Sequence, residues 1–389
     1  MEKIYLDNAA TTRVDNRVFA AMKPYFSNIY GNASSLHSFG LEAKHALENA
    51  REVIAQKIGA KHNEIIFTSG ATEADNMAIR GVAYANRERG NHIITTSIEH
   101  PAILETCHFL ETQGFQVSFL PVDKKGIIDI KKLKDELSKK IILVSIIFAN
   151  NEIGSIQPIE SIGRIIKTWN KEHGTQIYFH TDAVQAFTKI NINVDKFNVD
   201  LLSLSAHKIY GPKGVGALYI KEGTKIEKII HGGHHEYNIR PGTENVASII
   251  GLAEATELFR PESYKAIRTL RSYLIKKVLK EISGSCLNGP KEENVLPNIA
   301  NFTFKNVEGE ALMLLLDKEG IAVSTGSACA SSSLETSYVL RAIGVPVEEA
   351  HGSLRISLGK DNTKEEINYL VKILKKAVKR LRKMNPLIK

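Results

Sequence analysis

Several side chains able to do chemistry fall at the ends of apolar runs in this chain. Residues 201–204 read as the end of a buried strand, and Ser205, His207 and Lys208 gather where that run stops. A half-buried lysine there loses part of the hydration of its ammonium, so a fraction stands as the neutral amine that attacks carbonyls; the alternative is a surface lysine in a turn. Gly211, Gly214 and Gly216 follow, and they let the backbone turn tightly while leaving room for a flat ligand over the lysine. Gly70-Ala71-Thr72 opens a helix directly after a strand, which gathers free N–H groups, a helix dipole and a hydroxyl at one point. That suits a phosphate, or ordinary capping. Asp182 closes the run 179–182; a buried carboxylate needs a cation there, unless it caps a helix. His100, in Glu99-His100-Pro101, either stacks its imidazole on a ring or only starts a helix.

Taken together, a phosphate cradle, a carboxylate, a stackable ring and a Schiff-base lysine describe a pocket for pyridoxal 5'-phosphate, with Asp182 keeping the pyridine nitrogen protonated. The stretch 324–333 adds a cysteine, Cys329, among small residues with no large apolar anchor. The expectation is a mobile loop and a reactive thiol, since structural cysteines sit among hydrophobes. Cys107 and Cys286 read as structural, and three scattered cysteines support neither a disulfide framework nor a metal site.

The elements that must position these groups are legible as alternation. From Glu64 to Leu204, strands near 65–68, 93–96, 117–122, 141–148, 177–180 and 201–204 alternate with helices starting near Thr72, Pro101, Lys131 and Ile159. That pattern predicts an α/β fold with a mainly parallel sheet, whose ligands bind beyond the carboxyl ends of the strands. After about residue 250 the character shifts to helices, a strand at 299–304, a helix at 309–318, strands near 321–323 and 354–358, and a last helix opened by a capping box of Thr363 and Glu366. The expected organisation is an N-terminal segment, 1–15, lying on the active site and the small domain; a large cofactor-binding domain, 16–252; and a small α/β domain, 253–389, carrying Cys329. A chain of 389 residues has room for both.

The net charge is +8, with 51 lysines and arginines against 43 acids. Much of the excess lies in the last helix, where Ile367, Leu370, Val371, Leu374, Val378 and Leu381 keep helical spacing and the basic residues form the solvated face, so no nucleic-acid partner is expected. No apolar run approaches the ~20 residues of a membrane span, and Met1-Glu2-Lys3 leads straight into Ile4 with no signal-peptide core, so the expected location is the cytoplasm.

These motifs, with 5–12, 31–35, 68–73, 150–154, 180–185, 240–245, 326–329 and 353–357, resemble the cysteine desulfurase family within the fold type I, class-V aminotransferase-like pyridoxal-phosphate enzymes. The resemblance implies that Ala71, Thr72, Ser205 and His207 hold the phosphate, and that Thr243 completes that site from the partner subunit of a homodimer. It implies that Asp182 meets the pyridine nitrogen, Gln185 and Asn151 the ring-oxygen side, and that His100 stacks on the ring. Lys208, His100 and Cys329 are the implied catalytic residues, with Asn151 and Arg355 on the substrate. The implied activity converts L-cysteine to L-alanine, leaves a persulfide on Cys329 and passes sulfur to an acceptor such as an iron–sulfur scaffold protein. A selenocysteine lyase, another aminotransferase-like enzyme or a non-catalytic sulfur-relay platform are the alternatives. The sequence departs from the family pattern at Ala33, Ala206 and 232–238.

Overall fold

The computed structural model describes residues 3–325 and 336–384, so the expectations for Cys329 lie outside the described residues. Twelve strands among them form three sheets. The central one has seven strands: β2 (Ile65–Thr68), β3 (His92–Thr96), β4 (Gln116–Leu120), β5 (Ile141–Ser145), β6 (Tyr178–Asp182), β7 (Leu201–Ser205) and β8 (Gly216–Ile220), in the order β2-β8-β7-β6-β5-β3-β4. It is parallel except for β8, which runs antiparallel to both neighbours.

Both faces are buried because successive side chains of a strand point to opposite sides. Ile65, Phe67, Ile94, Val144, Phe179, Leu202 and Tyr219 enter one core, whereas Ile66, Ile93, Leu143, Tyr178, Leu201 and Leu218 enter the other. Helices Ser38–Ile58 and Val246–Leu258 cover the first face, and helices Ala71–Ala85 and Pro101–Thr112 the second.

In the central sheet, strand β8 is the element that the sequence does not announce. Its first residue is Gly216, and a Cβ there would lie 2.5 Å from the Leu204 carbonyl oxygen and 2.9 Å from the Gly70 carbonyl carbon. Gly211 is similarly pressed against Ala206, 2.9 Å from its Cβ. Of the three glycines expected to make room for a ligand, these two let chain pack on chain; Gly214, at φ +79 with open space around it, is the one that faces a cavity.

A second sheet, in the order β12-β10-β9, joins β9 (Ser285–Asn288), β10 (Ile299–Phe304) and β12 (Ser353–Ser357) in antiparallel pairs. The long helix Lys364–Met384 packs on it through Ile367, Leu370, Val371 and Leu374, and the Thr363–Glu366 capping box forms as expected. The polar run of β9 carries no alternation in the sequence. Cys286 stands on it exposed, so of the two cysteines read as structural only Cys107 is buried. The Cys107 thiol, in a dry helix–sheet core, is pushed up to about 12 by burial.

The N-terminal segment ties the two sheets together. Strand β1 (Ile4–Tyr5) pairs with β11 (Ile321–Ala322), the Ser357 hydroxyl accepts from Ala9 N–H, and the Thr12 N–H donates to the His207 carbonyl at 2.9 Å.

Arg51, in helix Ser38–Ile58, meets the buried Glu236 through two bonds of 2.8 Å, and Glu236 also accepts from the Phe67 N–H of β2 at 2.7 Å. Glu236, Tyr237 and Asn238 all take positive φ, the backbone this divergent stretch adopts to reach Arg51. Glu236→Ala leaves a buried guanidinium without its carboxylate, and we expect a loss of about 3–5 kcal/mol in denaturant unfolding.

Candidate active site

The carboxyl ends of β5, β6 and β7, the helix starts after β2 and β3, and strand β12 converge on a cavity of about 1170 Å³. Its walls include Ala71, Thr72, His100, Asn151, Asp182, Gln185, Ser205, His207, Lys208 and Arg355, all taken from the sequence as site residues. Thr243 is exposed and is not among the residues that line it.

Lys208 ends the 3-10 turn Ala206–Lys208 after β7, and its Nζ donates to the carbonyls of Ala9 and Ala10, each at 2.7 Å. The Gln185 side chain donates through Nε2 to the same Ala9 carbonyl at 3.0 Å, and Gln185 also lines the cavity. His207 meets Thr11 Oγ1 through Nδ1 at 3.1 Å and is pushed down to about 4, by burial and then by Lys208, so it is neutral near pH 7.

Asp182 is the last residue of β6. One oxygen accepts from the Val184 N–H at 2.9 Å, but a turn and not a helix follows, which removes helix capping as its reason. Burial pushes its carboxyl up to about 6, against the pull of that N–H and of Lys208. His100 caps helix Pro101–Thr112 by accepting the Ala102 N–H on Nδ1 at 3.2 Å. Capping and cavity lining therefore coexist, and the ring proton sits on Nε2. Burial, then Lys208, pushes the imidazole down to about 4.

Three observations test the pocket for a phosphorylated pyridine aldehyde. Helix Ala71–Ala85 begins after Gly70, at φ +155 with nothing within 4 Å of the position of a Cβ, and no side chain caps it. Its first amides are thus open donors beside Thr72, as an anion requires. Asn151 Oδ1 and Arg355 Nε are buried in the same cavity without a protein partner. The remaining guanidinium nitrogens of Arg355 are held by Asp7 Oδ1 and the Asn151 carbonyl, each at 2.9 Å, so it is pre-aimed. The donor set fits phosphate, ring and carboxylate.

A network behind Asp182 is absent from the sequence reading. His180, two residues earlier on the same face of β6, bonds Ser145 at 2.8 Å and Ser203 at 3.0 Å; Asp75 Oδ1 lies 3.7 Å from its Nε2. Burial and then the neighbouring Asp182 hold the Asp75 carboxyl well above its ordinary range. Helical spacing from Ala71 to Asp75 and strand spacing from His180 to Asp182 were the available signals. Glu152 and the rim residues Ser337 and Tyr338 were also not singled out for the site; Ser337 donates to Glu152 at 2.5 Å, and the Tyr338 hydroxyl donates to the Glu99 carbonyl.

The model of the family described as aminotransferase class-V matches residues 4–370. The cysteine desulfurase IscS of Dictyoglomus turgidum is 55% identical over 387 residues, covering 99% of this chain and 96% of the relative; that of Methanosarcina thermophila is 52% identical over 387 residues, covering 99% and 94%. Among solved structures, one titled NifS-like protein superposes with TM-score 0.90 at 41% identity, covering 97% of this chain and all of that one. Another, titled SspA in complex with cysteine, has TM-score 0.81 at 38% identity and covers 92% and all. The chain belongs to the class-V aminotransferases, pyridoxal-phosphate enzymes of fold type I. Within them its activity is that of a cysteine desulfurase.

Glu99, fully buried beside His100, is pushed up to about 8 by burial, although Thr96 and the Ile147 N–H both donate to it. Its folded-state proton affinity exceeds the unfolded one, so the native state holds an extra proton from the ordinary carboxylate range up to about 8. Stability from this group is full below that window and is lost as pH rises through it. Glu99→Gln keeps the acceptor oxygen, so its urea midpoint should match the wild type in acid. It should then gain on the wild type by about 1.4 kcal/mol per pH unit through the window.

Proposed function

We propose that this chain takes L-cysteine, removes its sulfur as a persulfide on Cys329 and hands it to an acceptor protein, with Lys208, His100, Asp182 and Arg355 dividing the work. The observation that carries the reading is the convergence of the Lys208 amine, the Asp182 carboxyl and the open helix start at Ala71 on one cavity.

When bound through Lys208, the cofactor supplies an electron sink that acidifies the substrate Cα–H. The Ala71 and Thr72 amides, with Ser205 and His207, would hold its phosphate. Asp182 would hold the ring nitrogen, and it would ionise there because a cationic partner offsets its burial. His100, neutral and fixed by its cap, would stack on the ring, with its Nε2–H available for a proton transfer.

Arg355 receives the substrate carboxylate through its unpartnered Nε, with Asp7 and the Asn151 carbonyl holding the guanidinium plane. The freed Lys208 amine takes the Cα proton. The Cys329 thiolate attacks the substrate sulfur: the S–S bond forms, the Cβ–S bond breaks with its electron pair going to carbon, and protonation there completes alanine. Cysteine and one thiol thus yield alanine and one persulfide, with no external oxidant.

The ends of the segment that carries Cys329 support its access. Ser324 exchanges two backbone hydrogen bonds with Arg355, and Thr336, Ser337 and Tyr338 line the cavity. Thr243 and the exposed phosphate side suit a second copy of the chain. The acceptor is a protein of the iron–sulfur assembly class, and the setting is the cytoplasm; no described helix is long and apolar enough to cross a membrane.

Lys208→Ala should lose the yellow chromophore and all alanine formation. In Cys329→Ser the chromophore should stay, while alanine and the added sulfur on the 329 peptide, read by mass spectrometry, both vanish. Arg355→Ala should raise KM for cysteine about 10–100-fold, the worth of a charged hydrogen-bond pair. Full alanine formation by Cys329→Ser would refute the persulfide route.

A further inference from the structure

We propose that Arg240 is a positioning residue for the phosphate end of the cavity: it pairs with Glu73, so that the carboxylate which fixes the turn before helix Ala71–Ala85 does not repel an incoming phosphate. This rests on the reading of that helix start as the phosphate cradle.

Glu73 stands in the first turn of the helix and lines the cavity beside Ser69, Gly70, Ala71 and Thr72. Its side chain is 11% exposed. Oε2 accepts from the Ser69 N–H at 2.5 Å, and the Thr68 hydroxyl donates to the Gly70 carbonyl at 3.0 Å. Two side chains thus hold the turn that leads into the open amides. The Ser69 N–H is taken by Glu73, which leaves those of Ala71 and Thr72 for an anion.

A glutamate in the first turn suits an empty helix start, because it meets the positive end of the helix dipole, equivalent to roughly half an elementary charge. A phosphate in the same place brings roughly 1.5 to 2 further negative charges. The dipole cannot balance both anions, so the glutamate needs a cation of its own.

Arg240 is that cation. Its Nε donates to Glu73 Oε1 at 2.9 Å, and its Nη2 to Oε2 at 3.4 Å. Both carboxylate oxygens are engaged by one guanidinium fork, a geometry that lysine does not offer. Arg240 is not among the residues that line the cavity, so it acts there through Glu73. Against burial, which raises it, Arg240 and then Ser69 hold the Glu73 carboxyl below its ordinary range. What the charge adds at 73 over a glutamine is a stronger grip on the Ser69 N–H, and Arg240 makes that charge compatible with phosphate.

The test titrates the full chain with pyridoxal 5'-phosphate and, separately, with pyridoxal, which lacks the phosphate. Absorbance of the lysine-bound aldehyde gives the affinity, with melting temperature followed in parallel. Arg240→Gln should weaken binding of the phosphorylated aldehyde about 10-fold or more, the worth of a charged hydrogen-bond pair, and leave pyridoxal binding unchanged. Glu73→Gln keeps an acceptor for Ser69 and removes the charge, so it should bind the phosphorylated aldehyde about threefold more tightly than the wild type. The double variant should return to within about threefold of the wild type, because neither charge is left alone. Equal weakening toward both aldehydes, no weakening in a folded Arg240→Gln, or a double variant as weak as Arg240→Gln overturns the proposal. If Arg240→Gln does not fold, Glu73→Gln decides, and unchanged or weaker binding of the phosphorylated aldehyde overturns the role. A wild type that binds both aldehydes equally refutes the phosphate cradle and this role with it. A wild type that prefers the phosphorylated aldehyde, beside an Arg240→Gln that prefers it as strongly, refutes Arg240 alone.

Discussion

The site depends on the lysine amine being held by two peptide carbonyls. Lys208 Nζ is aimed by the Ala9 and Ala10 carbonyls, and the Asp182 carboxyl is coupled to it from β6. Those carbonyls belong to a segment that the chain reaches only through several other contacts. Gln185 binds the Ala9 carbonyl, Ser357 of β12 binds the Ala9 N–H, and Thr12 returns to the His207 carbonyl one residue before the lysine. The small sheet, the central sheet and the N-terminal segment are therefore coupled at the Lys208 amine. A shift of β12 would move Arg355 and, through Ser357 and Ala9, the acceptors of Lys208 together.

Low dielectric makes the rest of the pocket work. Asp75, Asp182, Glu99 and Glu152 are all buried and all raised by desolvation, whereas His100, His180 and His207 are lowered by it. The result near neutral pH is a floor with few net charges, in which a single entering cation or anion changes several protonation states. The imidazoles, lowered by burial, add no competing cations near neutral pH.

Much of this was legible in the linear chain. Strands β2, β3, β5, β6 and β7 are apolar runs bounded by turn residues, and helix Pro101–Thr112 starts where Pro101 requires. Lys208, Asp182, His100 and Gly70 stood out because polar residues at the ends of apolar strands are expensive unless a ligand meets them. Strand β8 was hidden because it opens on Gly216, within a glycine-rich stretch that reads as a turn. Strand β9 was hidden by its polar, non-alternating composition. Asp75 and His180 were missed for another reason: each looks ordinary on its own element, and its meaning lies in burial against a residue on a different one.

What the amino-acid order determined by itself is the chemistry available and the edge of the sheet that carries it, because strand period and turn residues act over a few positions. What only the tertiary structure decided is which of those groups are desolvated together. Arg240 and Glu73 are 167 positions apart, Arg355 and Asp7 are 348 apart, and Lys208 and Ala9 are 199 apart. Proton affinities and hydrogen-bond partners at such separations follow from packing between elements, and packing is set by the whole chain at once.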